Sequence, residues 1–258
     1  MNQTFQLKEH IPFIVSTAVE AGHAIMNIYN EGPIEVQTKS DQSPLTIADQ
    51  ASHKIIVKAL SSLGIPILSE EGKNIDYQER KKWDLFWLVD PLDGTKEFIK
   101  KNGEFTVNIA LIHNNKPIWG VVYAPALDKL YYVDEQNQVL LREKNNTIVL
   151  PVKLSALDFK KSGLRVVASR SHMDDKTTSL VQSLTDPVLV SMGSSLKFMI
   201  LAEANADLYP RYAPTMEWDT AAAHAILNFL NYQVLQENTE IELVYNKENL
   251  LNPGFIVY

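Results

Sequence analysis

The sequence predicts a layered α/β protein of the α+β kind, in which two helices are followed by an antiparallel meander of strands and then by alternating helices and strands. Three observations carry this. Apolar residues recur at helical spacing between residues 11 and 63. They gather in short strand-like runs between residues 65 and 152. From about residue 155, turn residues separate short helical and strand-like segments to the end. No repeat, low-complexity tract or flexible linker interrupts the chain. The expectation is therefore two closely packed lobes, residues 1–155 and 156–258.

The first helix spans residues 11–29, with Ile11, Ile14, Val15, Ala18, Gly22, Ile25, Met26 and Tyr29 on one face, and Gly32-Pro33 ends it. A polar loop (38–46) leads to a second helix (47–63), with Thr46 as its N-cap and Ile55, Ile56, Ala59, Leu60 and Leu63 facing inward. Residues 65–68 and 85–89 are apolar runs that read as buried strands. Strands 105–112 and 117–123 flank Asn114-Asn115, a hairpin turn, and strands 130–133, 139–141 and 148–152 continue the meander. In the second lobe, strands at 164–168, 188–191, 207–209, 233–235 and 255–258 alternate with helices near 176–184, 196–204 and 218–229.

With 258 residues and 45% hydrophobic content, the chain can bury a sizeable core. Its 24 basic and 31 acidic residues give a net charge of -7 with no basic block, which argues against duplex nucleic acid but leaves room for small anions. Absence of cysteine excludes disulfide and thiolate chemistry and suits the cytosol. The first ten residues lack a signal-peptide pattern, and no apolar run approaches the roughly 18 residues a transmembrane helix needs. A soluble protein is expected.

Four carboxylates stand out: Glu70, Asp90, Asp93 and Asp219. Asp90 sits where the strand 85–89 runs out; Pro91 cannot donate to a sheet ladder and Gly94 permits unusual backbone angles, so the chain turns sharply there. Two acids three residues apart on a tight turn repel each other unless a hard divalent cation lies between them. Thr95 adds a hydroxyl beside them. Asp-Pro and Asp-Gly are also ordinary turn chemistry. What sets this turn apart is delivery by an apolar strand to a sheet's end, where α/β sites lie, together with a second acidic pair, Glu70-Glu71, after another apolar run. The pattern points to a metal site acting on phosphate. Asp219, taken alone, reads as a helix N-cap or first-turn acid following Ala213-Pro214-Thr215.

The runs Leu68-Ser-Glu-Glu-Gly72, Trp87-Leu-Val-Asp-Pro-Leu-Asp-Gly-Thr-Lys-Glu-Phe98 and Glu217-Trp-Asp-Thr-Ala-Ala222 together resemble the signatures of the lithium-sensitive, magnesium-dependent phosphatases of the inositol monophosphatase superfamily, in the same order and spacing. Within it, Lys96 to Ile99, Asn102 to Asn108, Gly193-Ser-Ser-Leu-Lys197, Leu208-Tyr-Pro-Arg211 and Leu250-Leu-Asn-Pro-Gly-Phe255 resemble the bacterial 3′(2′),5′-bisphosphate nucleotidases of the CysQ type. The resemblance implies an alternating α-β-α-β-α sandwich, with an antiparallel sheet in the N-terminal lobe and a mixed sheet in the C-terminal lobe. It implies hydrolysis of the 3′-phosphate of adenosine 3′,5′-bisphosphate to AMP in sulfate assimilation. Alternatives are an inositol monophosphate or fructose 1,6-bisphosphate phosphatase of the same superfamily and, more remotely, a non-catalytic nucleotide or metal sensor.

Carried over by the resemblance, Glu70, Asp90 and the Leu92 carbonyl would hold one Mg2+, and Asp90, Asp93 and Asp219 a second, with a third, looser ion near Glu70. Thr95 and Asp41 would orient the attacking water and accept its proton. Gly94 and Thr95 would bind phosphate through their amides. His172, Ser194, Ser195, Lys197 and Arg211 would meet the nucleotide and its other phosphate, and Glu70, Leu92, Asp93 and Asp219 would touch the substrate as well. A lysine at position 197 also reads as a solvated helix residue, Asp41 as a turn residue and His224 as a packed one. The resemblance further implies a monomer or homodimer in the cytoplasm, with some relatives peripheral on the cytoplasmic face of the inner membrane.

Overall fold

Apolar spacing of three and four residues builds α1 (Leu7–Asn30), whose Ile11, Ile14, Ala18 and Ile25 are buried. The computed structural model describes residues 5–31, 36–38, 44–168 and 173–258. By length and composition α1 could cross a membrane, yet its inner face is packed into the core. A two-stranded ribbon, β1 (Val36–Thr38) with β2 (Pro44–Thr46), precedes α2 (Ile47–Ser61). Thr46 caps α2 as expected, and Asp49 completes a capping box by accepting from the Thr46 amide at 2.8 Å and its hydroxyl at 2.6 Å.

Next come β3 (Ile67–Ser69), the short α3 (Tyr77–Arg80), β4 (Leu85–Asp93) and the short α4 (Thr95–Ile99). The meander follows: β5 (Thr106–His113), β6 (Lys116–Ala124), β7 (Lys129–Val133), β8 (Val139–Glu143) and β9 (Asn146–Val149). Strands β3 to β9 form one sheet in sequence order. From β4 to β9 it is antiparallel, but β3 runs parallel to β4. The first sheet is therefore mixed, a correction to the antiparallel sheet expected. The reason is the link between β3 and β4, which passes through α3 and is long enough for the crossover that parallel pairing requires. Functionally this matters, because β3 and β4 end at the same edge and deliver Glu70 and Asp90 together.

The second half contributes β10 (Arg165–Val167), α5 (Asp175–Ser183), β11 (Val188–Val190), α6 (Leu196–Ala202), β12 (Tyr209–Arg211), α7 (Glu217–Phe229), β13 (Val234–Gln236) and β14 (Phe255–Val257). Strands β10 and β11 pair in parallel across the α5 crossover, while β12, β14 and β13 form an antiparallel sheet. A parallel bridge from Val166 to Leu208 joins the two pieces into a mixed arrangement. The expected strand 207–209 begins two residues later, and α3 and α4 went unpredicted because one turn is too short to show a period.

Helix α7 packs on β4, β5 and β6, and its run of alanines lets it lie close. A Cβ on Gly120 of β6 would fall 2.3 Å from the Ala222 carbonyl oxygen. Tyr123, three residues along β6 and so on the opposite face, meets Gly22 of α1. The sheet is thus sandwiched between α1 and α2 on one side and α7, with α6 packed on it, on the other, and β12 of the smaller antiparallel sheet lies against α6, an alternation of helical and sheet layers in the order α-β-α-β. Asp219 reaches the end of β4 because its helix lies on the first sheet.

Candidate metal centre and active site

Strand β4 is buried along nearly its whole length and breaks register at the site. Asp90 pairs with Asn108 and Asp93 with Thr106, so three steps along β4 answer two along β5. This bulge surrounds Pro91, which has no amide to give the ladder, and it turns both aspartates toward one place. The turn is pinned from α2, where Ser52 Oγ donates to the Pro91 carbonyl at 2.7 Å, and from within, where the Leu92 amide donates to Asp90 Oδ1 at 3.0 Å. Gly94 follows with φ of 88°, a left-handed conformation that favours glycine.

Asp90, Asp93 and Asp219 each offer a carboxylate oxygen, and these oxygens lie within 4.8 Å of one another. Asp219 also fulfils the role its position suggests: its Oδ2 accepts from the Met216 amide at 2.8 Å, closing the first turn of α7. Asp90 is buried. Burial first, then the charges of Glu70, Asp93 and Asp219, push its carboxyl well above the usual range. Burial and the Asp93 charge push Asp219 up to about 8. These acids therefore stand close enough to oppose one another's ionisation. The donors are all oxygen, and a hard divalent cation such as Mg2+ fits them.

Thr95 Oγ1 lies 3.3 Å from Asp49 Oδ1 and 3.4 Å from the Leu92 carbonyl oxygen. Asp49, buried at the start of α2, is the acid that the sequence reading missed. The available signal was the Thr46-x-x-Asp49 capping box, which fixes a carboxylate at the first turn of a helix that packs on β4. Asp41 and His172 lie outside the described residues.

A cleft of about 420 Å³ opens beside the carboxylates, lined by Glu97, Glu104, Ser194, Lys197, Arg211 and Asp219 among others. A second, of about 290 Å³, adjoins it and shares Lys197, Tyr209 and Arg211. Lys197 is not a solvated helix residue: burial lowers its pKa against the pull of Asp93, and its Nζ donates to the Ser194 carbonyl at 3.3 Å. Arg211 Nε is buried without a hydrogen-bond partner. Ser194 and Ser195, expected to face a substrate anion, line this cleft and donate to Asp93 Oδ2, because the turn before α6 abuts the β4 bulge. His224 is a packed residue, fully buried, with Nδ1 2.9 Å from the Tyr245 hydroxyl and its pKa lowered by burial to about 3.

A protein from Salmonella typhimurium named 3′(2′),5′-bisphosphate nucleotidase CysQ is 43% identical over 257 residues, covering 95% of this chain and 97% of its own. The crystal structure of CysQ from Bacteroides thetaiotaomicron superposes with a TM-score of 0.83 at 42% identity, covering 97% of both chains. Inositol monophosphatase from Anabaena shares the fold at 20% identity, with a TM-score of 0.69, over 97% of this chain and 90% of its own. The profile of the inositol monophosphatase family matches residues 6–254, and the chain belongs to that family.

Proposed function

We propose that this chain is a 3′(2′),5′-bisphosphate nucleotidase that releases the 3′-phosphate of adenosine 3′,5′-bisphosphate to give AMP. The observation that carries the reading is the pairing of a carboxylate cluster with two adjoining clefts that share Lys197 and Arg211. One end accommodates a phosphate under attack and the other offers two cationic side chains for a second phosphate. Full-length relatives bearing this enzyme's name support it.

The family is metal-dependent, and Glu70, Asp90, the Leu92 carbonyl, Asp93 and Asp219 are the groups that would hold Mg2+ here. When bound, the cation supplies Lewis-acid stabilisation of charge on the phosphoryl oxygens. The chain's own residues do the rest. Thr95 donates its hydroxyl hydrogen toward Asp49 Oδ1, which leaves its oxygen free to accept a hydrogen bond from water. As that water attacks phosphorus, its proton passes to Thr95 Oγ1 and the Thr95 proton to Asp49, while the bond from phosphorus to the ribose 3′-oxygen breaks and that oxygen takes a proton from solvent. The amides of Gly94 and Thr95 bind the transferring phosphate. Lys197 and Arg211 hold the 5′-phosphate, Arg211 through two nitrogen donors.

The test is phosphate release by purified protein from adenosine 3′,5′-bisphosphate, inositol 1-phosphate and fructose 1,6-bisphosphate, with Mg2+ or with EDTA. The nucleotide should be turned over fastest, and EDTA should stop it. Preference for inositol phosphate would overturn the substrate assignment.

A further inference from the structure

Three donors from one short segment converge on a single oxygen of Asp93. Ser194 Oγ lies 2.6 Å, the Ser195 amide 2.6 Å and Ser195 Oγ 2.7 Å from Asp93 Oδ2. Behind them stands a second tier on β5. Asn108 Nδ2 donates to Ser195 Oγ at 2.9 Å, and Thr106 Oγ1 lies 3.0 Å from Asn108 Oδ1 and 2.8 Å from Ser194 Oγ. Thr106, Asn108 and Ser195 are all buried.

The chemistry of these groups sets a direction. With the Ser194 hydrogen committed to Asp93, the single Thr106 hydrogen is shared between Ser194 Oγ and Asn108 Oδ1, and the Asn108 amide turns its nitrogen toward Ser195. Ser195 Oγ then accepts from Asn108, and its own hydrogen points to the acceptors on the far side, Asp93 Oδ2 and the Asp219 carbonyl oxygen at 2.9 Å. The backbone agrees, since Ser194 is held at φ of 51°, a left-handed conformation unfavourable for a side chain. That strained turn presents both serines to the same oxygen.

We propose that Ser194 and Ser195, the latter aligned by Asn108, are positioning residues that aim Asp93 into the acidic cluster. The inference rests on the metal-site reading above. Three donors saturate Oδ2 and stop the carboxylate from rotating, which leaves Oδ1 as the oxygen for a cation. Partners that orient a ligand in this way tune metal affinity as well as packing. Simple adhesion between the two halves of the chain would not need three hydrogen bonds on one oxygen of an already repelled charge. Ser195 Oγ also touches the main chain of Asp219, so one hydroxyl registers two of the cluster's acids against each other.

The test is Mn2+ binding to the metal-free protein by titration calorimetry without substrate, alongside thermal melting, for wild type, Ser194→Ala and Ser195→Ala. Each substitution should weaken Mn2+ binding roughly tenfold, the order found for partners of metal ligands. Ser194 is only partly buried, so Ser194→Ala keeps the test open if Ser195→Ala folds poorly. Variants that melt lower but bind Mn2+ as wild type does would overturn the positioning role and leave adhesion. Absence of Mn2+ binding by the wild type would instead remove the metal-site reading, and this proposal with it.

Discussion

Thr95 Oγ1 meets Asp49 Oδ1 across 3.3 Å, joining the turn after β4 to the first turn of α2. Asp49 is held from its other side by the amide and hydroxyl of Thr46, so its orientation is fixed before any substrate arrives. A hydroxyl paired with a fixed carboxylate is the arrangement through which the proposed reaction would relay a water's proton.

From this pair, Asp49→Asn should lower kcat roughly a hundredfold while leaving Mn2+ affinity nearly unchanged, since an amide accepts no proton. Asp41→Asn measured beside it assigns the role. A larger loss for the substitution at position 41 would return the base to the residue first expected.

Protonation of the cluster predicts a pH dependence. Asp219 rises from its ordinary 3.8 to about 8, chiefly through burial and then through Asp93, and Asp90 rises for the same kind of reason. Below the unfolded value both states are protonated and the contribution to stability is complete; as pH climbs toward about 8 the unfolded chain ionises first and stability is lost. A cation must displace these protons, so metal affinity rises over the same interval. Melting of EDTA-treated protein should therefore move to lower temperature as pH increases, while the upward shift caused by Mg2+ grows. A Mg2+ shift independent of pH would contradict this.

Gly120 tests how α7 is seated. An alanine there would place its Cβ 2.3 Å from the Ala222 carbonyl oxygen, backbone against side chain with no flexible end to yield. Gly120→Ala should destabilise the fold by about 3 kcal/mol, the upper range for overpacking. Because Asp219 rides on the same helix, Mn2+ binding measured by calorimetry should weaken too.

Arg211 and Lys197 line both clefts. Arg211→Ala should raise KM for adenosine 3′,5′-bisphosphate roughly tenfold or more, as expected for loss of a charge-assisted contact of about 1.5–3 kcal/mol. KM for adenosine 3′-monophosphate, which lacks the second phosphate, should change little. Equal losses on both nucleotides, read from initial rates, would place Arg211 at the reacting phosphate instead.

The clearest sequence signals were local. Apolar runs marked β4 and the meander, a helical period marked α1 and α2, and breakers around Pro91 and Gly94 marked the turn that carries Asp90 and Asp93. These are legible because periodicity and turn chemistry act over a few residues. The parallel placement of β3 was not, since strand direction depends on where the chain returns.

The amino-acid order by itself determined which acids stand at strand and helix ends, and through its motifs the family to which the chain belongs. Tertiary structure alone decided who meets whom: Asp49 with Thr95 across 46 positions, and Ser195 with Asp93 across 102. Such encounters have no local period. The first arises because α2 packs on β4; the second because α7 buries its alanines on the first sheet with α6 packed against it, which sets the turn before α6 against the bulge of β4.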